Sequence, residues 1–256
     1  MIQALYDNLG IPDTCRLGKR VFKKLFEENA TLGTSDRKAL REDLDSVIWV
    51  YTLKPCTIRI QPYEDTERDY PEIAVLQADL RTTKGVDRLA RIIHRAIPYP
   101  VILVFNHQAP VKHHQCLISL AHKRFSQAEK GAIVADDFVA TGWIDLAEPS
   151  PLQQAFLASL RIADLPQVHF HAVYTAIADR IVALGCSDLS GEYRLEPDPG
   201  RRAQRRERLT ACRALESRIG ALKARIRKET QFNRQVELNT QIKQLEQQLL
   251  EDARRL

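Results

Sequence analysis

The stretch YEDTERDYPEIAVLQADLR brings Glu64, Asp65, Asp69, Glu72 and the triplet Asp79-Leu80-Arg81 to what reads as a strand and the turn before it. Metal-dependent nucleases set an acidic residue on one strand and an acid-x-Lys on the next, so that carboxylates hold Mg²⁺ and the lysine polarises the attacked phosphate. Arg81 stands where that lysine would be, so a nuclease using Asp69, Glu72 and Asp79 is an alternative reading only. Histidines offer a second chemistry. In NHQAPVKHHQ, His107, His113 and His114 have no acid or thiol beside them, and no metal site is expected there. His169 and His171, two residues apart, fall on different faces of a helix, which argues against joint coordination. His94 reads as a helix-surface residue, and Trp49 and Trp143 as core.

The strongest chemical signal is positive charge. Arg201, Arg202, Arg205, Arg206, Arg208, Arg213, Arg218, Lys223, Arg225, Arg227 and Lys228 crowd one segment that holds two acidic residues. From Arg201 to Leu256 there are 15 Lys or Arg against 7 Asp or Glu, which leaves residues 1–200 with 23 against 26 of the totals of 38 and 33. The net charge of +5 therefore belongs to the tail. Such a density repels itself and gains most from a polyanion, through phosphate contacts and counterion release. An acidic protein surface is the competing partner. No base-reading motif accompanies the run, so sequence specificity is not expected.

Other signatures are missing. The Gly18-Lys19 pair lacks the preceding glycine and following Ser/Thr of a phosphate-binding loop, and neither G-x-S-x-G nor H-E-x-x-H occurs. The five cysteines, Cys15, Cys56, Cys116, Cys186 and Cys212, are scattered without a C-x-x-C pair, as in reduced cytosolic proteins. No apolar run of membrane-spanning length and no secretory leader is visible, so a cytoplasmic location without membrane partners is expected. No cofactor is implied.

The elements that must position these residues read as follows. LGKRVFKKLFEEN predicts an amphipathic helix over 16–28 with Val21, Phe22, Leu25 and Phe26 on one stripe. TSDRKALREDLDS predicts a second helix, with Thr34, Ser35 or Asp36 as N-cap and Leu40 and Leu44 inward. VIWVYTL and TIRIQPY predict two strands joined at KPC. A strand over 72–81, a helix over 82–97 and a strand from VILVFNH form a β-α-β unit, with IPYP ending the helix. QCLISLAHKRFS and FVATGWIDL predict further antiparallel strands, and 150–185 predicts two covering helices. The expected fold is α+β: a mixed β-sheet with one β-α-β unit flanked by helices, plus a long C-terminal coiled-coil helix. Residues 1–186 form the globular domain, 187–200 a Ser/Gly/Pro-rich linker and 201–256 a basic coiled-coil arm.

Within the arm, Leu215, Ile219, Leu222 and Ile226 follow the 4-3-4 spacing of an a/d seam, and so do Leu238, Ile242, Leu245 and Leu249, but in another frame. Between them lie Phe232, Asn233, Val236 and Asn239. Either the coiled coil unwinds locally or the helix breaks and folds back. Unbroken, it would extend about 84 Å. Together with the seam residues, Phe232 and Val236 are the expected partner-binding set, on a second protein, a second copy or the chain's own body.

The stretches KETQFNRQVELNTQIKQLEQQL, DLDSVIWVYTLKP, YPEIAVLQADLR and IIHRAIPYPVILVF make the chain resemble the bacterial domain-of-unknown-function 4391 family from about residue 5 to 250. The resemblance implies a small protein without assigned activity, often encoded beside helicases and DNA methyltransferases in restriction-like or phage-defence clusters. No catalytic residue carries over. The expectation is a non-catalytic accessory subunit tethering a helicase-like or methyltransferase-like partner, nucleic acid, or both through its arm. A structural dimerisation protein is the third reading.

Overall fold

The structure is a computed structural model that describes residues 1–108, 114–129 and 131–256. His113 lies outside the described residues. The chain forms two compact units, Met1–Ile181 and Val182–Leu256.

The first unit is built on a mixed sheet, as the α+β expectation requires. Its strands are β1 (Arg16–Val21), β2 (Leu44–Leu53), β5 (Ile73–Leu80), β6 (Val101–Gln108), β7 (His114–Phe125) and β8 (Ile133–Ala140), in that spatial order, with β9 (Ile144–Asp145) pairing on β7. The short strands β3 (Tyr63–Glu64) and β4 (Asp69–Tyr70) pair separately. β5 and β6 are parallel, in register from Ala74↔Val101 to Leu80↔His107, and α5 (Val86–Ala96) connects them. Every other pairing in the large sheet is antiparallel. Helices α1 (Ile2–Leu9), α2 (Lys23–Asn29), α3 (Thr34–Glu42), the short α4 (Pro55–Ile58), α6 (Pro151–Ser159) and the first part of α7 (Phe170–Ser190) complete the unit.

One face of the sheet, through Val47, Leu76, Leu103 and Phe105, packs with Phe26, Leu40, Leu89 and Ile93 from α2, α3 and α5 in one buried cluster. The other face carries Val75, Ile102, Val104 and Ile118, also buried. With both faces closed, the central strands are near-continuous apolar runs, which is why β5 and β6 are legible. Tyr174 of α7 ties the layers together: its hydroxyl meets the carbonyls of Val101 and Ala121, both at 2.9 Å, and accepts from the Ala121 N–H at 3.0 Å.

Several local expectations are corrected. Residues 16–21 are a strand, not the first turns of a helix, because they pair along the edge of β2, Lys19 opposite Trp49 and Val21 opposite Val47. Only 23–29 is helical, and Phe22 is exposed. Leu44 opens β2 rather than continuing α3. The N-cap of α3 is Gly33, whose N–H donates to Asp36 Oδ2 at 3.0 Å. TIRIQPY yields no long strand: Pro55–Ile58 is a helical turn, ended by Arg59 in the left-handed region, and only Tyr63–Glu64 pairs as β3. His94 is buried, not on the helix surface. Its Nε2 lies 3.2 Å from Ser119 Oγ, and burial, helped by the Lys123 ammonium, pushes its pKa down to about 3. Finally, α7 runs to Ser190 rather than ending near Gly185.

Candidate nucleic-acid interface

The second unit contains the end of α7, α8 (Pro199–Ile226) and α9 (Phe232–Ala253). Asp198 starts α8: its carboxylate accepts from the Arg201 N–H at 2.8 Å, and Pro199 sits at the first helical position, where its missing donor is harmless. Gly185 of α7 leaves room for the Leu209 side chain of α8, whose Cδ2 would lie 2.9 Å from a Cβ there.

The long C-terminal helix is present as α8, and of the two courses open to the arm the fold-back is the one taken. The helix breaks after Ile226, and α9 returns antiparallel against α8, joined to it by a Lys223–Glu246 ion pair at 2.7 Å and an Arg208-to-Arg255 carbonyl bond at 2.9 Å. The turn forms because the Glu229 carboxylate accepts the N–H groups of Thr230 and Gln231, at 2.9 and 3.0 Å, while Gln235 Nε2 donates to the Glu229 carbonyl at 2.6 Å. The Gln231 N–H first, then that of Thr230 and the Arg234 and Arg225 guanidiniums, hold the Glu229 carboxyl below its usual range. The slip between the two heptad frames is this turn.

The hairpin also accounts for most of the expected partner-binding set. Ile219, Leu238 and Ile242 are buried, and Leu215, Leu222, Ile226, Leu245 and Leu249 half-buried. In a two-helix hairpin each seam supplies the other's apolar surface. Phe232 and Val236 alone of that set stay out, 75% and 48% exposed beside the turn.

The cations divide in the same way. Arg205 is buried, donating from Nε to the Leu256 carbonyl at 2.7 Å and from Nη1 to the Arg194 carbonyl, so it is not at the surface as its place in the basic run led us to expect. Arg213 bridges Asp188 and Glu216, both at 3.0 Å. Arg208 and Lys223 cross to α9, and Arg202 and Arg206 are half-buried with partners of their own. Arg201, Arg218, Arg225, Arg227 and Lys228 are exposed without an ion pair among the described residues. Arg234, outside the expected set, is exposed with Arg225, Arg227 and Lys228 around the turn, whereas Arg201 lies at the far end of α8. The position of Arg234 just past the first seam's frame slip is the signal that would have found it.

The acidic residues of the first unit are not gathered. Asp79 accepts from Ser46 Oγ at 2.7 Å, Gln77 Nε2 at 2.7 Å and Asn106 Nδ2 at 2.8 Å, all from β2, β5 and β6. Glu72 pairs with Lys54 at 3.4 Å, and Asp69 is held above its usual pKa by burial and then by Glu64. Among the described residues no group of three or more His, Cys, Asp or Glu could hold a metal ion.

The histidines meet in a way their spacing hides. His169 precedes α7 and accepts the Ala172 N–H on Nδ1 at 3.0 Å, so it is not on a helical face at all. Its ring and that of His171 both pack on Tyr63, centroids 4.4 and 4.8 Å away, and His122 bonds Tyr70 at 2.8 Å. Burial, with Arg68 and His169, lowers the His171 pKa.

Neither a curated protein nor a solved structure matches this chain. A family model described as a domain of unknown function (DUF4391) matches residues 9–249, nearly the whole length, and the chain belongs to that family.

Proposed function

We propose that this protein is a non-catalytic accessory subunit that holds nucleic acid through the turn end of its C-terminal hairpin, in a DNA-directed defence or modification assembly. The observation that supports it is the division of charge within one helix pair: part of the α8 cation set is used internally, and Arg218, Arg225, Arg227 and Lys228 remain exposed and unpaired among the described residues. Phe232, exposed beside them, adds an aromatic face on which an unpaired base can stack. The assembly and its helicase-like or methyltransferase-like partner come from the family resemblance and are part of the proposal.

Retention on a labelled duplex and on a single strand, measured against salt, tests it. Each phosphate contact adds about 0.9 to the log-log salt slope on duplex and about 0.7 on a single strand. Replacing Arg218, Arg225, Arg227 and Lys228 together by Gln should therefore flatten the duplex slope by roughly 3 to 4. Absence of binding by the unaltered chain at about 50 mM salt, or an unchanged slope in the variant, would defeat the reading.

A further inference from the structure

The first unit has its own row of arginines. Arg88, Arg91 and Arg95 lie at i, i+3 and i+7 on α5, exposed on the side away from the buried Leu89, Ile93 and Ala96. They line an open groove of about 420 Å³ whose floor includes Ile92 and whose wall is residues 30–32, from the connection between α2 and α3. That volume lies within the usual range for small-ligand pockets.

Each guanidinium is held differently. Arg88 is paired with Asp36 at 3.2 Å, and Asp36 is itself tied to the Gly33 N–H, so this end of the groove is anchored and neutral. Arg91 lies over the Phe138 ring, 5.0 Å from its centroid. That contact is made to the ring's π-face rather than to a carboxylate, so the guanidinium has no ion pair among the described residues and can still donate to a phosphate. Arg95 is exposed with no carboxylate partner among the described residues. The groove thus carries three cations and one carboxylate over about 10 Å of helix. Arginine forks fit phosphate oxygens two at a time, and a row of this length outreaches a single phosphate.

We propose that this groove binds a ligand carrying two or more linked phosphates, with Arg91 and Arg95 on the phosphates and the apolar part of the ligand against Leu32 and Ile92. The chemistry is that of a phosphate ester, from a nucleoside polyphosphate or from an oligonucleotide strand. It does not rest on the hairpin reading.

The test uses the full chain in which Arg218, Arg225, Arg227 and Lys228 are already replaced by Gln, so that the hairpin does not contribute. One arm titrates a methylanthraniloyl-labelled ATP, the other a labelled ten-nucleotide oligothymidylate, and adenosine is the uncharged control. Binding in either arm, weakened about tenfold or more by Arg91→Gln with Arg95→Gln and not reproduced by adenosine, is the expected result and tells the two sources apart. Arg95→Gln alone, at an exposed side chain, should weaken it about threefold without altering the melting curve. No binding in either arm, equal binding of adenosine, or affinity unchanged in a folded double variant overturns the proposal.

Discussion

Lys123 on β7 and the cations around the hairpin turn carry the same charge in opposite settings. Lys123 is buried. Its Nζ donates to the carbonyls of Ile97, at 2.7 Å, and His94, at the C-terminal end of α5, and burial pushes its pKa down to about 7. Its ammonium completes a helix end that would otherwise leave carbonyls unsatisfied inside the protein. Arg225, Arg227 and Lys228 keep their water, and Glu229 is the carboxylate beside them. A buried cation closed on carbonyls is architecture. An exposed cation that makes no ion pair is available to a ligand, because binding need not first break a protein bond or strip a buried group.

The contrast can be broken at graded cost. Phe105→Ala, at a fully buried position on β6, should destabilise the first unit by about 4 kcal/mol, read by chemical denaturation. An effect under about 1 kcal/mol would mean that the sheet core is not the close-packed one described.

Lys123 should make stability depend on pH. Its folded pKa of about 7 lies below the ordinary 10.5, so between those values the unfolded chain binds the proton that the folded chain has lost, and stability rises with pH. From pH 7 to about 9 the gain should approach 2–3 kcal/mol, and Lys123→Met should remove it. Above about pH 9 Cys116 acts the other way: burial pushes its thiol up to about 12, so the unfolded chain ionises first and stability falls. A pH 7–9 profile unaltered in Lys123→Met would assign the buried charge elsewhere.

In the second unit, Ile242→Ala should cost about 2 kcal/mol and loosen the hairpin, seen as lost amide-exchange protection across α8 and α9. Full protection in that variant would show that the seams do not hold the helices together. The smallest effect is expected at Phe232, which is 75% exposed: Phe232→Ala should change stability by less than about 0.5 kcal/mol while weakening single-strand binding by about 1–3 kcal/mol. Equal losses on duplex and single strand would remove stacking from the account.

How far the fold was legible follows from the kind of signal each element carries. β5 and β6 are legible nearly to their ends, and α5 to within a turn, because an apolar run, a 3.6-residue stripe and two prolines are all local. β1 is not legible, because RLGKRV is mostly exposed and becomes a strand only through its pairing with β2. The histidine and tyrosine group around Tyr63 was invisible, since it joins β3, β4, β7 and the start of α7. For the candidate interface the residue list was legible and its use was not. Arg205 and Arg218 read alike in the chain, yet one is buried against two carbonyls and the other is exposed.

By itself the sequence determined the family, the α+β class, the parallel β-α-β unit and the concentration of positive charge after residue 200. These are properties of composition and short-range period, which every chain with this order of residues carries whatever it folds against. Only the tertiary structure decided that the two heptad frames face one another across a turn at Glu229, and which cations that folding consumed. The reason is geometric: a helix seam states that it needs an apolar partner, but whether that partner lies on another chain or some twenty residues downstream depends on whether the backbone can turn.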